Sequence, residues 1–103
     1  MAQRSIEIIE APVLVCEDKS LLRKAGRALV VFFGRRADMY PGIVSVRIYK
    51  KVGYTIDRGS ATVEFYAESN LAGSKKILFK IVRVTRSYTH KGNTYTKGWH
   101  VRV

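Results

Sequence analysis

Along this chain the apolar positions change period at Pro41. Before it, within EDKSLLRKAGRALVVFFG, Leu21, Leu22, Ala25, Ala28, Leu29 and Phe32 recur at the spacing of one helical face, and Arg23, Lys24 and Arg27 fall on the other side. That stripe predicts an amphipathic helix. Asp18 or Ser20 can cap its start, Glu17 and Asp18 suit the positive end of its dipole, and Gly34, Arg35 and Arg36 suit its end. Gly26 and the β-branched, aromatic run LVVFF leave a buried strand from Ala28 to Phe33 as the competing reading. Ser5 to Glu10 (SIEIIE) reads as a first strand, bounded by Ala11 and Pro12 and followed by a short extended piece, Val13 to Cys16.

After Pro41 the period becomes two. Val44, Val46 and Ile48 alternate with Ser45, Arg47 and Tyr49, and Ala61, Val63 and Phe65 alternate with Thr62, Glu64 and Tyr66. Both stretches predict half-buried antiparallel strands. Asp57, Arg58 and Gly59 mark a turn between them, Asn70 to Ser74 mark the next loop, and Tyr54 to Ile56 is either a short strand or part of the connection. GIVSVRI and SATVEFYAE resemble successive strands of small barrels of the SH3, Tudor or KOW kind, a resemblance limited to these strands and without a diagnostic residue.

The last stretch, VRVTRSYTHKGNTYTKGWHVRV, reads as a β-hairpin turning at Lys91 and Gly92. In that register Tyr88 faces Tyr95, Arg86 faces Lys97, Val84 faces Trp99 and Val82 faces Val101, so the apolar pairs match. The opposite face, from Arg83 and Thr85 to His100 and Arg102, is polar throughout. Ile77, Phe79 and Ile81 are apolar in the other phase, which predicts either a bulge near Ile81 or a strand buried on both sides. Arg86 opposite Lys97 is unfavourable alone, and a phosphate between them reverses the penalty. Trp99 is expected in the core, His100 as an ordinary strand residue and His90 in the turn.

The resulting fold is a single small α+β domain over residues 1–103, with one amphipathic helix covering a curved antiparallel sheet of about five strands. An OB-like or SH3-like barrel is the alternative if Ala28 to Phe33 is a strand.

Charge narrows the partners. The chain has 103 residues, 19 Lys plus Arg and 8 Asp plus Glu, for a net charge of +11. The excess is uneven: residues 69–103 hold eight cations and no carboxylate. Neutralising phosphates with such a field releases condensed counterions, so a polyanion is the implied partner. Cations and aromatics interleaved on strands favour single-stranded DNA or RNA. The candidate contacts are Arg83, Arg86, Tyr88, Lys91, Tyr95, Lys97 and Arg102 on the hairpin, with Arg35 and Arg36 at the helix end. Arg23, Lys24 and Arg27 can assist on a duplex.

A second class is a small viral, phage or ribosome-associated assembly protein whose basic face docks on an acidic partner. Its terminal strand edge could add to another sheet, including that of a second copy as a homo-oligomer. An enzyme is not expected, since no P-loop, GxGxxG, HExxH or GxSxG occurs. No cofactor is implied, and one cysteine with two histidines gives little for a metal. Cys16 is expected to be a buried, inert thiol. No apolar run reaches the roughly 18 to 20 residues of a membrane span, and Arg4, Glu7 and Glu10 interrupt the start, so a cytoplasmic location is expected.

Overall fold

The computed structural model describes residues 6–12, 14, 16–36, 39–40, 43–70 and 76–103, the side chain of Asn70 excepted. Ser5 of the first predicted strand, Val13 and Val15 of the extended piece, Pro41, and residues 71–74 of the predicted loop lie outside the described residues.

Helix α1 (Lys19–Arg35) begins where the sequence places it. The Asp18 carboxylate accepts from the backbone N–H groups of Ser20 and Leu21 at 3.0 and 3.2 Å, which satisfies two of the helix's orphan donors. Leu22, Ala25, Leu29, Phe32 and Phe33 are buried, and Arg23, Lys24 and Arg27 are exposed. The run from Ala28 to Phe33 is therefore helical, and the barrel alternative falls with the strand it needed. Cys16, just before the helix, is half-buried against the helix-side core, its thiol within 3.4 Å of the Asp18 carbonyl.

Strands β1 (Glu7–Glu10), β2 (Ser45–Ile56), β3 (Ala61–Asn70), β4 (Leu78–Val84) and β7 (Gly98–Arg102) form one sheet in the order β1-β2-β3-β4-β7. Strands β5 (Tyr88–His90) and β6 (Asn93–Tyr95) form a separate two-stranded tip. Tyr54 to Ile56 belongs to β2. The sheet is a mostly antiparallel, curled half-barrel, and β1 runs parallel to β2, unlike the wholly antiparallel arrangement expected. The intervening α1 crossover carries the chain back to the same end of the sheet, which a parallel pair requires. Among the described residues no helix is long and apolar enough to cross a membrane.

The sheet is buried on both faces at its centre, which resolves the phase conflict around Ile81. Phe79 and Ile81 pack toward α1 with Phe65, Ala67, Val46 and Ile48, and Val82 and Val84 pack on the other face with Ala61 and Val63. The expected bulge lies across from Ile81: the register shifts between Val63 and Phe65 on β3, where the extra residue, Glu64, swaps the strand's faces. Phe32 and Phe33 meet Phe79 edge-on at 5.9 and 5.3 Å, which fixes the angle of α1 on the sheet.

The hairpin register is right at its tip and displaced at its base. Tyr88 pairs with Tyr95, and Lys91 and Gly92 take φ of 50° and 78°, as a two-residue turn with both central residues left-handed requires. Below the tip, Val84 pairs with Gly98, Val82 with His100, Arg83 with Trp99 and Ile81 with Val101. The expected Val84–Trp99 and Val82–Val101 pairs are therefore wrong by one residue, and Val82 and Val84 share a face with His100 and Arg102. The cause is the neck, where 85–87 lie opposite only 96–97. Thr85 and Arg86 donate their backbone N–H groups to the Ser60 carbonyl at 2.9 and 3.4 Å, diverting that side of the hairpin toward the β2–β3 turn. Arg86 and Lys97 sit in this neck, outside both ladders, and do not form the cross-strand pair expected.

Candidate nucleic-acid interface

An open groove of about 710 Å³ lies between α1 and β7. One wall is helical and carries Lys24, Arg27, Arg35 and Arg36, and the other carries Lys97 and Arg102 from the hairpin. The helical cations flank the apolar stripe of α1, whose Ala28 and Phe32 also line the groove. Among the described residues no carboxylate lines the groove. Such a volume is in the range that accommodates whole organic ligands, well beyond a single phosphate.

Aromatic surface is interleaved with these charges. Trp99 is half-buried against the helix-side core and lines the groove with its remaining surface, as do Tyr95 and His100. The Arg36 guanidinium lies 4.5 Å from the Phe32 ring centre, and that of Arg102 lies 4.5 Å from the Tyr95 ring centre, so both planar cations are held against rings. His100 Nε2 lies 2.8 Å from the Thr96 carbonyl, which assigns its proton to that nitrogen.

A smaller hollow of about 400 Å³ adjoins the groove and shares Lys97, Gly98 and Trp99 with it. Arg83 and Thr85 form its far side. The Nε atoms of Arg83 and Arg102 are buried and have no hydrogen-bond partner among the described residues. Unmet guanidinium donors beside concavities are uncommon in folded proteins, because an unmade bond costs the desolvation of the donor.

The sequence-derived contacts divide among these surfaces. Arg35, Arg36, Tyr95, Lys97 and Arg102 converge on the groove, and Arg83 stands in the adjoining hollow with Glu64 4.0 Å away. Arg86 is exposed in the neck, its Nε 3.4 Å from the Ser60 hydroxyl, and Lys91 is exposed at the tip. Tyr88 and Tyr95 stack on each other at 5.1 Å and 27°, and both rest on the second apolar cluster, so the pair folds back on the sheet. The Tyr88 hydroxyl donates to Asp57, whose carboxyl is held below its ordinary range first by that bond and then by Arg102. Burial, then Asp57, pushes the Tyr88 hydroxyl's pKa up.

Trp99, expected in the core, and His100, expected as an ordinary strand residue, both also line the groove. Their place on the last strand, among cations, was the available signal. The edge position that opens them to α1 is a property of the sheet order. The chain matches no protein-family model, no curated protein and no solved structure.

Proposed function

We propose that this protein binds nucleic acid, single-stranded DNA or RNA in preference to duplex, in the α1–β7 groove. The observation that carries the reading is the convergence of six cations from two distant chain segments on one groove that no described carboxylate lines. Such a site holds a run of phosphates by charge, with Trp99 offering ring surface to bases. Contacts of this kind read the backbone, so recognition is largely tolerant of sequence. The proposed role is binding without catalysis, in a nucleic-acid-containing compartment such as the cytoplasm.

The test is a titration of labelled single strands and duplex across a range of salt. If four to six phosphates are engaged, the slope of log affinity on log salt is about −3 to −4 for a single strand. An affinity indifferent to salt refutes the reading.

A further inference from the structure

The sheet face turned away from α1 carries a second feature, which the groove does not use. Tyr66 follows Phe65 and precedes Ala67 on β3, and since both neighbours face the helix, Tyr66 faces the other way. Tyr49 and Tyr54 flank it on β2, each with its ring centre 6.3 Å from that of Tyr66. The Tyr66 hydroxyl donates to that of Tyr54 at 3.0 Å, which fixes the relative positions of two of the three rings. Tyr54 is 38% exposed, and Leu78 on β4 is 58% exposed.

The charges around these rings form a line. Lys50 on β2 pairs with Tyr66, Tyr66 with Lys80 on β4, and Lys80 with Arg102 on β7. Lys50 and Lys80 thus share one cross-strand row with Tyr66, and Arg102, at the end of the row, is paired with Asp57 at 3.1 Å. The neighbouring acid, Glu68, is already engaged by Arg47 and by Lys76 at 3.5 Å. The two exposed lysines, one on each side of Tyr66, offer charge to a polyanion lying along the row. At about 4.8 Å per strand the row spans roughly 14 Å from Arg102 to Lys50. Arg102 also lines the α1–β7 groove, so the two surfaces meet at that residue.

We propose that Tyr49, Tyr54 and Tyr66 form a platform for the unpaired bases of a single-stranded nucleic acid that leaves the groove at Arg102 and continues over Lys80 and Lys50. This inference rests on the groove reading and adds to it a second site and a reason for preferring single strands. A duplex keeps its base faces stacked internally and offers this platform only its phosphates. Tyr54 is the exposed ring, with the half-buried Tyr49 and Tyr66 beside it, and such ring surface accepts any base, because every base has a π face.

The test compares a labelled short homothymidine strand with an abasic strand of the same length, which keeps the phosphates and lacks the bases. The wild-type protein binds the thymidine strand about tenfold more tightly, Y49A/Y54A loses that preference, and Y49F/Y54F keeps it. Equal binding of the two strands by wild type, or an unchanged preference in Y49A/Y54A, overturns the platform. The groove is tested separately by R35E/R36E, which weakens both strands alike. If R35E/R36E changes neither while Y49A/Y54A removes the base preference, the groove reading fails and the platform stands. Absence of binding to either strand at low salt overturns both and favours an acidic protein partner. Photocrosslinking of wild type to a bromouracil-containing strand needs no variant to fold. Crosslinks at Tyr49, Tyr54 or Tyr66 support the platform, and crosslinks confined to Tyr95 and Trp99 overturn it.

Discussion

The Tyr88 hydroxyl donates to the same Asp57 carboxylate oxygen that Arg102 reaches at 3.1 Å. One carboxylate thereby ties the hairpin tip, the β2–β3 turn and the last strand together. Asp57 and Arg58 take φ of 51° and 56°, a left-handed conformation that disfavours residues other than glycine. The bonds to Asp57 offset that cost and hold the tip against the sheet. Tyr88→Phe keeps the ring stack and removes one charge-assisted bond, so it should lower stability by about 1–2 kcal/mol in denaturant unfolding.

Acid should act through the same carboxylate. Asp57 lies below its ordinary 3.8 chiefly through the Tyr88 bond, and Glu68 below its ordinary 4.5 chiefly through the Arg47 bond. As pH falls, the unfolded chain takes up these protons first, so the stability both groups contribute is present above the ordinary values. It is lost as pH drops through the depressed, folded ones. Denaturant midpoints measured from pH 6 downward should fall most steeply below about pH 4.5. Asp57→Asn should be less stable at neutral pH and show a shallower acid slope.

Gly98 stands where the neck re-enters the sheet, at φ 134° and with open space where a Cβ would project. The conformation, and not crowding, demands glycine there. Gly98→Ala should cost on the order of 1–3 kcal/mol, read from thermal or chemical unfolding. It should also weaken binding, because Gly98 and its neighbours Lys97 and Trp99 line both the groove and the adjoining hollow.

Lys24 and Arg27 lie on the exposed side of α1, so reversing their charge leaves the core intact. If each meets one phosphate, K24E/R27E should reduce the salt slope for a single strand by about 1.4. Unchanged circular dichroism and melting temperature would separate this from misfolding.

Local chemistry made much of this fold legible. The stripe from Leu21 to Phe32 and the Asp18 cap specify α1, and Lys91–Gly92 specifies the pairing of Tyr88 with Tyr95. The base of the hairpin was not legible, because its one-residue displacement comes from Ser60, which captures Thr85 and Arg86 from another part of the chain. Nor was the parallel pairing of β1, which depends on where the helix delivers the chain. The site followed the same division. Arg35, Arg36, Tyr95, Lys97 and Arg102 carry a charge and ring signal readable in sequence, but their meeting across one groove depends on β7 being the edge strand beside α1. Tyr49 and Tyr66 occupied the outward phase of their strands, and only the β2–β3 register brings them together with Tyr54.

The most direct test of the groove is an amide NMR titration of the labelled protein with a short single-stranded oligonucleotide. The largest shifts should fall on Lys24, Arg27 and Arg35 of α1, on its C-cap Arg36 and on Lys97 to Arg102 of the hairpin, with Glu7 to Glu10 of β1 unmoved. Shifts centred on β1, or absent from both groove walls at saturation, would contradict the assignment of the α1–β7 groove as the nucleic-acid site.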